Sequence, residues 1–132
     1  MHTPTRTGNG NESLKYISSE GEYERLDLRL QCSMQEAIDH VDGAIRYCRE
    51  NGKTRLLADI RETTGFPPPN IAERYYLIEK WASTAMGQVK MAMIGRREMI
   101  DEDKIGITMA KNRGFDAEIF SDEGQALKWL VG

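Results

Sequence analysis

The stretch Asn112-Arg113-Gly114-Phe115-Asp116-Ala117-Glu118-Ile119-Phe120-Ser121-Asp122-Glu123 decides the architecture. Its start closes a helix on a glycine, its middle is a short apolar strand, and Ser121-Asp122-Glu123 opens another helix with capping side chains. The same unit of strand, turn and amphipathic helix occurs three times from Arg55 onward. Residues 56–60 and 89–94 are the earlier strands, residues 70–84 and 103–112 the helices that follow them, and the last helix ends in Trp129-Leu130. Strands alternating with helices in this way need parallel pairing and crossovers of one hand.

Upstream, residues 14–18 and 23–32 alternate around the turn Ser19-Glu20-Gly21-Glu22, which predicts an antiparallel hairpin. Ser33 with Glu36 forms a capping box, and Met34, Ile38, Val41, Ile45 and Cys48 then repeat at helical spacing up to Asn51-Gly52. Gly65-Phe66-Pro67-Pro68-Pro69 is a stiff, extended approach to the next helix, with Pro69 suited to its first turn. The order ββαβαβαβα describes an α/β fold: a five-stranded mixed sheet, an N-terminal antiparallel hairpin followed by parallel strands, with about four helices. Leu26, Leu28, Leu30, Leu56, Ala58, Ile60, Val89, Met91, Met93, Ala117 and Ile119 supply one apolar face. The alternate positions include Arg25, Asp27, Arg29, Asp59, Arg61, Lys90 and Glu118, so helices are expected to cover that second face only in part.

A chain of 132 residues suits one domain, expected over residues 13–132, with residues 1–12 as a flexible tail poor in large apolar groups. The composition, 39% hydrophobic and 30% charged, is that of a globular protein, and no apolar run approaches the ~20 residues of a membrane span. Membrane insertion is therefore not expected. The first residues lack the apolar centre of a secretory signal, which makes the cytoplasm the expected compartment. A net charge of -3 with interspersed signs offers no positive field for nucleic acid. Cys32 and Cys48 fall where small apolar residues suit the pattern and read as reduced thiols.

Leu57-Ala58-Asp59-Ile60-Arg61 with Thr64-Gly65-Phe66-Pro67, Lys90-Met91-Ala92-Met93-Ile94-Gly95, Asn112-Arg113-Gly114, Ile119-Phe120 and Ala126-Leu127-Lys128-Trp129-Leu130 together resemble the SpoIIAA-like (STAS/SEC14-type) family of small bacterial proteins. The resemblance spans residues 14–130 and implies a compact domain built as a βα superhelix. In the anti-sigma-factor antagonists of that family it also implies a phosphorylatable serine at the start of the helix after the central strand. This chain departs there: residues 63–70 hold no serine and three prolines, so the phospho-switch is not carried over. Thr63 and Thr64 remain as hydroxyl acceptors or as turn residues. SEC14-type relatives imply lipid-like ligands.

No catalytic set, phosphate loop, dinucleotide fingerprint or pair of His or Cys at metal spacing occurs, so no metal and no cofactor are expected. His40 lies off the apolar stripe and reads as solvated. Asp59, near the carboxyl end of a central strand, reads either as a general base or acceptor, or as a carboxylate paired with Lys90 or a loop amide. Arg61 lies beside it. Arg96 and Arg97 after Gly95 read either as an anion fork or as solvated charges. Tyr75, Tyr76 and Trp81, with Ile71 and Ile78 on the same helix, make an apolar surface wider than one packing stripe needs; Phe66 joins them as a candidate contact. The expected role is a non-catalytic interaction or regulatory module, as a homodimer or with another protein partner. The alternative is a binding or carrier protein for a small hydrophobic or anionic ligand, held between residues 67–76 and the turn at 95–97.

Overall fold

The computed structural model describes residues 14–132. The expectation for residues 1–12 lies outside them. A 3-10 turn at Leu14–Tyr16 leads into β1 (Ile17–Ser19), so the first strand is shorter and later than expected. β2 (Glu24–Asp27) pairs with it antiparallel, Ile17 opposite Leu26. β4 (Arg55–Asp59), β6 (Lys90–Ile94) and β7 (Ala117–Phe120) then add in parallel, giving the order β1-β2-β4-β6-β7. The chain is thus α/β with a five-stranded mixed sheet, as the periodicities predict.

The expected strand over residues 23–32 divides in two. After Asp27, which pairs with Asp59, the chain leaves the main sheet and resumes as β3 (Leu30–Gln31), pairing in parallel with β5 (Thr63–Thr64). Between these two pairings the partner segment carries one residue more, taken up by a turn in which Thr63 N–H donates to the Ile60 carbonyl. The second small sheet therefore continues the line of the first after a jog. Gly65 lies at its end with φ of 116°, where a Cβ would run into the Cys32 carbonyl oxygen.

Among the described residues four α-helices complete the fold. α1 (Met34–Glu50) starts on the Ser33/Glu36 capping box, and α2 (Ile71–Ala85) starts on another made by Asn70 and Glu73. α3 (Ile105–Asn112) begins two residues later than expected, after a 3-10 turn at Arg97–Met99 that the pattern does not announce. α4 (Glu123–Val131) is capped by Asp122. Helices α1, α2 and α3 bury Ile38, Val41, Ile45, Ile78, Trp81 and Met109 against Leu26, Leu56, Ala58, Met91 and Ala117 on one sheet face. α4 places Ala126 and Leu130 on Leu57, Ala92 and Ile94 of the other. Both faces follow the strand alternation read from the sequence. Among the described residues α4 is the only helix on the half-polar face.

His40 departs from expectation. It is 8% exposed, with its ring edge-on to Tyr16 at 5.3 Å, because the stretch at Leu14–Tyr16 folds over the α1 flank that would otherwise face water. Cys32 and Cys48 are both free, and burial, with Glu24 nearby, pushes the Cys48 thiol up to about 12. Among the described residues no helix is long and apolar enough to cross a membrane.

Candidate functional site

Two arrangements gather half of the candidate residues, one on each face of the sheet. On the α4 face, at the carboxyl end of β4, Asp59 is 4% exposed. Its Oδ2 accepts from Arg25 and Arg61 Nη2, both at 2.7 Å, and its Oδ1 accepts from the Arg61 backbone N–H at 3.1 Å and Nε at 3.0 Å. Glu123, the first residue of α4, takes the outer side of both arginines, from Arg61 Nη2 at 3.0 Å and Arg25 Nη1 at 3.1 Å. Two strands and a helix N-terminus are tied by two arginines and two carboxylates of balanced charge.

Burial works against ionising Asp59. The hydrogen bonds from the Arg61 side chain and backbone, with the charges of Arg61 and Arg25, outweigh it and hold the carboxyl below its ordinary value. The hydrogen bond to Asp59 likewise raises the already high pKa of the Arg61 guanidinium. A carboxylate so stabilised is a weak base near neutrality, and its lone pairs are occupied. Of the two readings of Asp59, pairing with a loop amide is present, but Lys90 is not its partner. Lys90 Nζ lies 4.4 Å over the Trp129 ring and donates to the Trp129 carbonyl at 3.0 Å, having been drawn to α4 instead.

On the opposite face, α1, α2 and the segments before α2 and α3 border a part-open cavity of about 120 Å³. Its wall is almost wholly apolar. Met34, Ile38 and Val41 come from α1, Leu77, Ile78 and Trp81 from α2, Met91 and Met93 from β6, and Phe66 and Met99 from the connecting segments. Ile107 and Gly106 of α3 close one side. The polar lining consists of Thr63, Arg74, Asp101, Lys104 and Glu118. Thr63 is fully buried and donates to the Leu28 carbonyl at 2.6 Å, so its hydroxyl braces the β3–β5 junction. Asp101 Oδ2 accepts the Ile105 N–H at 2.9 Å, and Lys104 Nζ lies 3.5 Å from the Glu118 carboxylate. Among the described residues the Arg74 guanidinium has no hydrogen bond or ion pair.

The candidates singled out from the sequence therefore part company. Phe66 and Trp81 line the cavity, the latter donating its Nε1–H to the Ile38 carbonyl at 3.1 Å. Asp59 and Arg61 belong to the ionic cluster on the far face. Arg96 is half-buried and braces the turn between them, its Nη1 donating to the carbonyls of Arg61 at 2.8 Å and Thr63 at 3.1 Å; it is neither an open anion fork nor a solvated charge. Arg97 is exposed, as are Tyr75 and Tyr76 at 48% and 47%. Tyr76 holds Gln35 of α1 through its hydroxyl, at 3.2 Å.

Sequence reasoning missed Arg74, Leu77, Met34, Met99 and Ile107. One signal was present. Arg74, Leu77, Ile78 and Trp81 lie at steps of three, one and three, so the arginine occupies a place in the apolar stripe of α2. The cavity's far wall carries no such mark, because Met99 sits in a 3-10 turn and Ile107 in a helix of two turns.

Among the described residues, no three His, Cys, Asp or Glu side chains gather as metal ligands. Compared with protein-family models, curated proteins and solved structures, the chain matches none.

Proposed function

We propose that the protein is a non-catalytic regulatory module of the STAS/SEC14-type that acts by holding a small, mainly apolar molecule between its sheet and the helices α1 to α3. The observation that carries this reading is the apolar cavity walled by Phe66, Trp81, Met91 and Met93. A well-packed interior leaves few voids larger than a water molecule. A dry apolar cavity of roughly 150 Å³ is known to take up benzene, so one of about 120 Å³ suits a six-carbon ring or a short branched chain. A long acyl chain does not fit wholly within that volume.

Thermal denaturation with a graded series of small apolar molecules, of about five to ten heavy atoms, tests the reading. Molecules near six heavy atoms should stabilise most, by about 2.7 kcal/mol at a hundredfold excess over Kd, and should change Trp81 fluorescence. Gly106→Leu supplies the control: a Cβ there meets only Ile78, at 3.9 Å, so a larger side chain fills the cavity. It should remove the response while leaving the protein folded. A flat response across the series would end this reading.

A second reading, a homodimer or protein contact through α2, is supported by the exposure of Ile71, Tyr75 and Tyr76 along that helix. Light scattering of the native protein and of Tyr75→Glu tests it; a wild-type monomer at high concentration argues against it.

A further inference from the structure

We infer that the molecule the cavity takes carries a single carboxylate, with its apolar body inside and its charged end on Arg74. Such a ligand presupposes that the cavity is a binding site, and adds what recognises its polar end.

Among the described residues the charges around the cavity are four: Arg74, Asp101, Lys104 and Glu118. Three of them are already compensated. Glu118 and Lys104 form an ion pair at 3.5 Å. Asp101 accepts the Ile105 N–H, the first amide of α3, at 2.9 Å and the Asp103 N–H of the preceding turn at 3.4 Å, and these two amides offset its charge. Arg74 is a half-buried residue, and its guanidinium alone among these charges has no hydrogen bond or ion pair among the described residues. It lines both the cavity and the outer groove that Asp101 and Asp103 share, as a cation whose fork is free to donate to a ligand's oxygens.

Its position sharpens the chemistry. Arg74 is the fourth residue of α2, at the end of the helix where the backbone already carries partial positive charge. A cation there gains nothing from the helix, whereas an anion beside it is favoured by both. The guanidinium fork matches a carboxylate, and a single uncompensated cation matches a single negative charge better than a phosphate dianion. Arg74 also shares the α2 stripe with Leu77, Ile78 and Trp81, so the charge and the apolar wall face one space.

Benzoate and its neutral isostere benzamide, titrated into wild-type protein and into Arg74→Gln, test this. Wild type should bind benzoate about tenfold or more tightly than benzamide, as a charge-assisted hydrogen bond allows. Arg74→Gln should bring the two to parity without changing benzamide affinity, and Arg74→Lys should restore part of the preference. Arg97→Gln, on the exposed 3-10 turn and outside the lining, should leave it intact. Equal binding of the two molecules by wild type, or a preference that survives Arg74→Gln or is lost in Arg97→Gln, overturns the inference while the apolar binding reading stands. Failure of benzoate, benzamide and the neutral apolar series alike overturns both.

Discussion

Asp59 is where the sheet and α4 are joined by charge. Removing one partner of a buried ion pair leaves the others uncompensated, which costs about 3–5 kcal/mol when all are fully buried. The Arg61 side chain is 37% exposed, so solvent takes up part of that loss. Asp59→Asn is expected to lower stability by roughly 2 kcal/mol at pH 7, read from urea unfolding. The native carboxyl titrates below its ordinary value of 3.8. The stability it adds is therefore fully present above that value and is lost as pH falls through the depressed native one. The gap between wild type and Asp59→Asn should accordingly shrink as pH falls below 3.8; a gap that stays constant down to pH 2 would contradict the assignment. The sequence showed that Asp59 sits on the half-polar face. It did not show which charge would reach it, because Arg25, Lys90 and Arg61 occupy equivalent alternating positions and only α4, by presenting Glu123 to two of them and Trp129 to the third, separates their roles.

At the scale of the element, capping and periodicity were dependable guides. Ser33 and Glu36 announce α1, and its stripe from Ile38 to Cys48 is buried as spaced. The same reciprocal pattern at Asn70 and Glu73 starts α2. The failure at β2 is instructive, since Leu26, Leu28 and Leu30 alternate without a break and nothing local marks where the strand leaves the sheet. The extra residue in the turn at Ile60 to Thr63 decides it. Gly65 secures the junction, because its positive φ lets the backbone pass against Cys32, whose N–H donates to the Thr64 carbonyl at 2.8 Å. Gly65→Ala should cost at least about 2 kcal/mol in urea unfolding through strained φ and the clash with Cys32, and should speed hydrogen exchange at the Cys32 amide. Unchanged exchange there would show that the junction does not depend on the glycine.

Across the whole molecule, the sheet is shared by two apolar clusters, one under α1 to α3 and one under α4. Because β4 and β6 contribute alternate residues to both, neither cluster can be lost without exposing the back of the other. The two tryptophans report on the two sides, Trp81 in the first cluster and Trp129 against the second. Single-tryptophan variants made with Trp81→Phe and Trp129→Phe should give unfolding transitions of the same form, each fluorescence curve coinciding with that variant's own circular dichroism. An earlier fluorescence transition in the variant that keeps Trp129 would mean that α4 detaches alone. The sequence by itself determined the α/β class, the strand faces and the starts of the side-chain-capped helices, since these depend on local periodicity, capping and the preferences of glycine and proline. Only the tertiary structure decided the break after Asp27, the burial of His40, the partners of Asp59 and the cavity with its unpaired Arg74. Each of these depends on which distant segments meet, a relation that neighbouring residues do not encode.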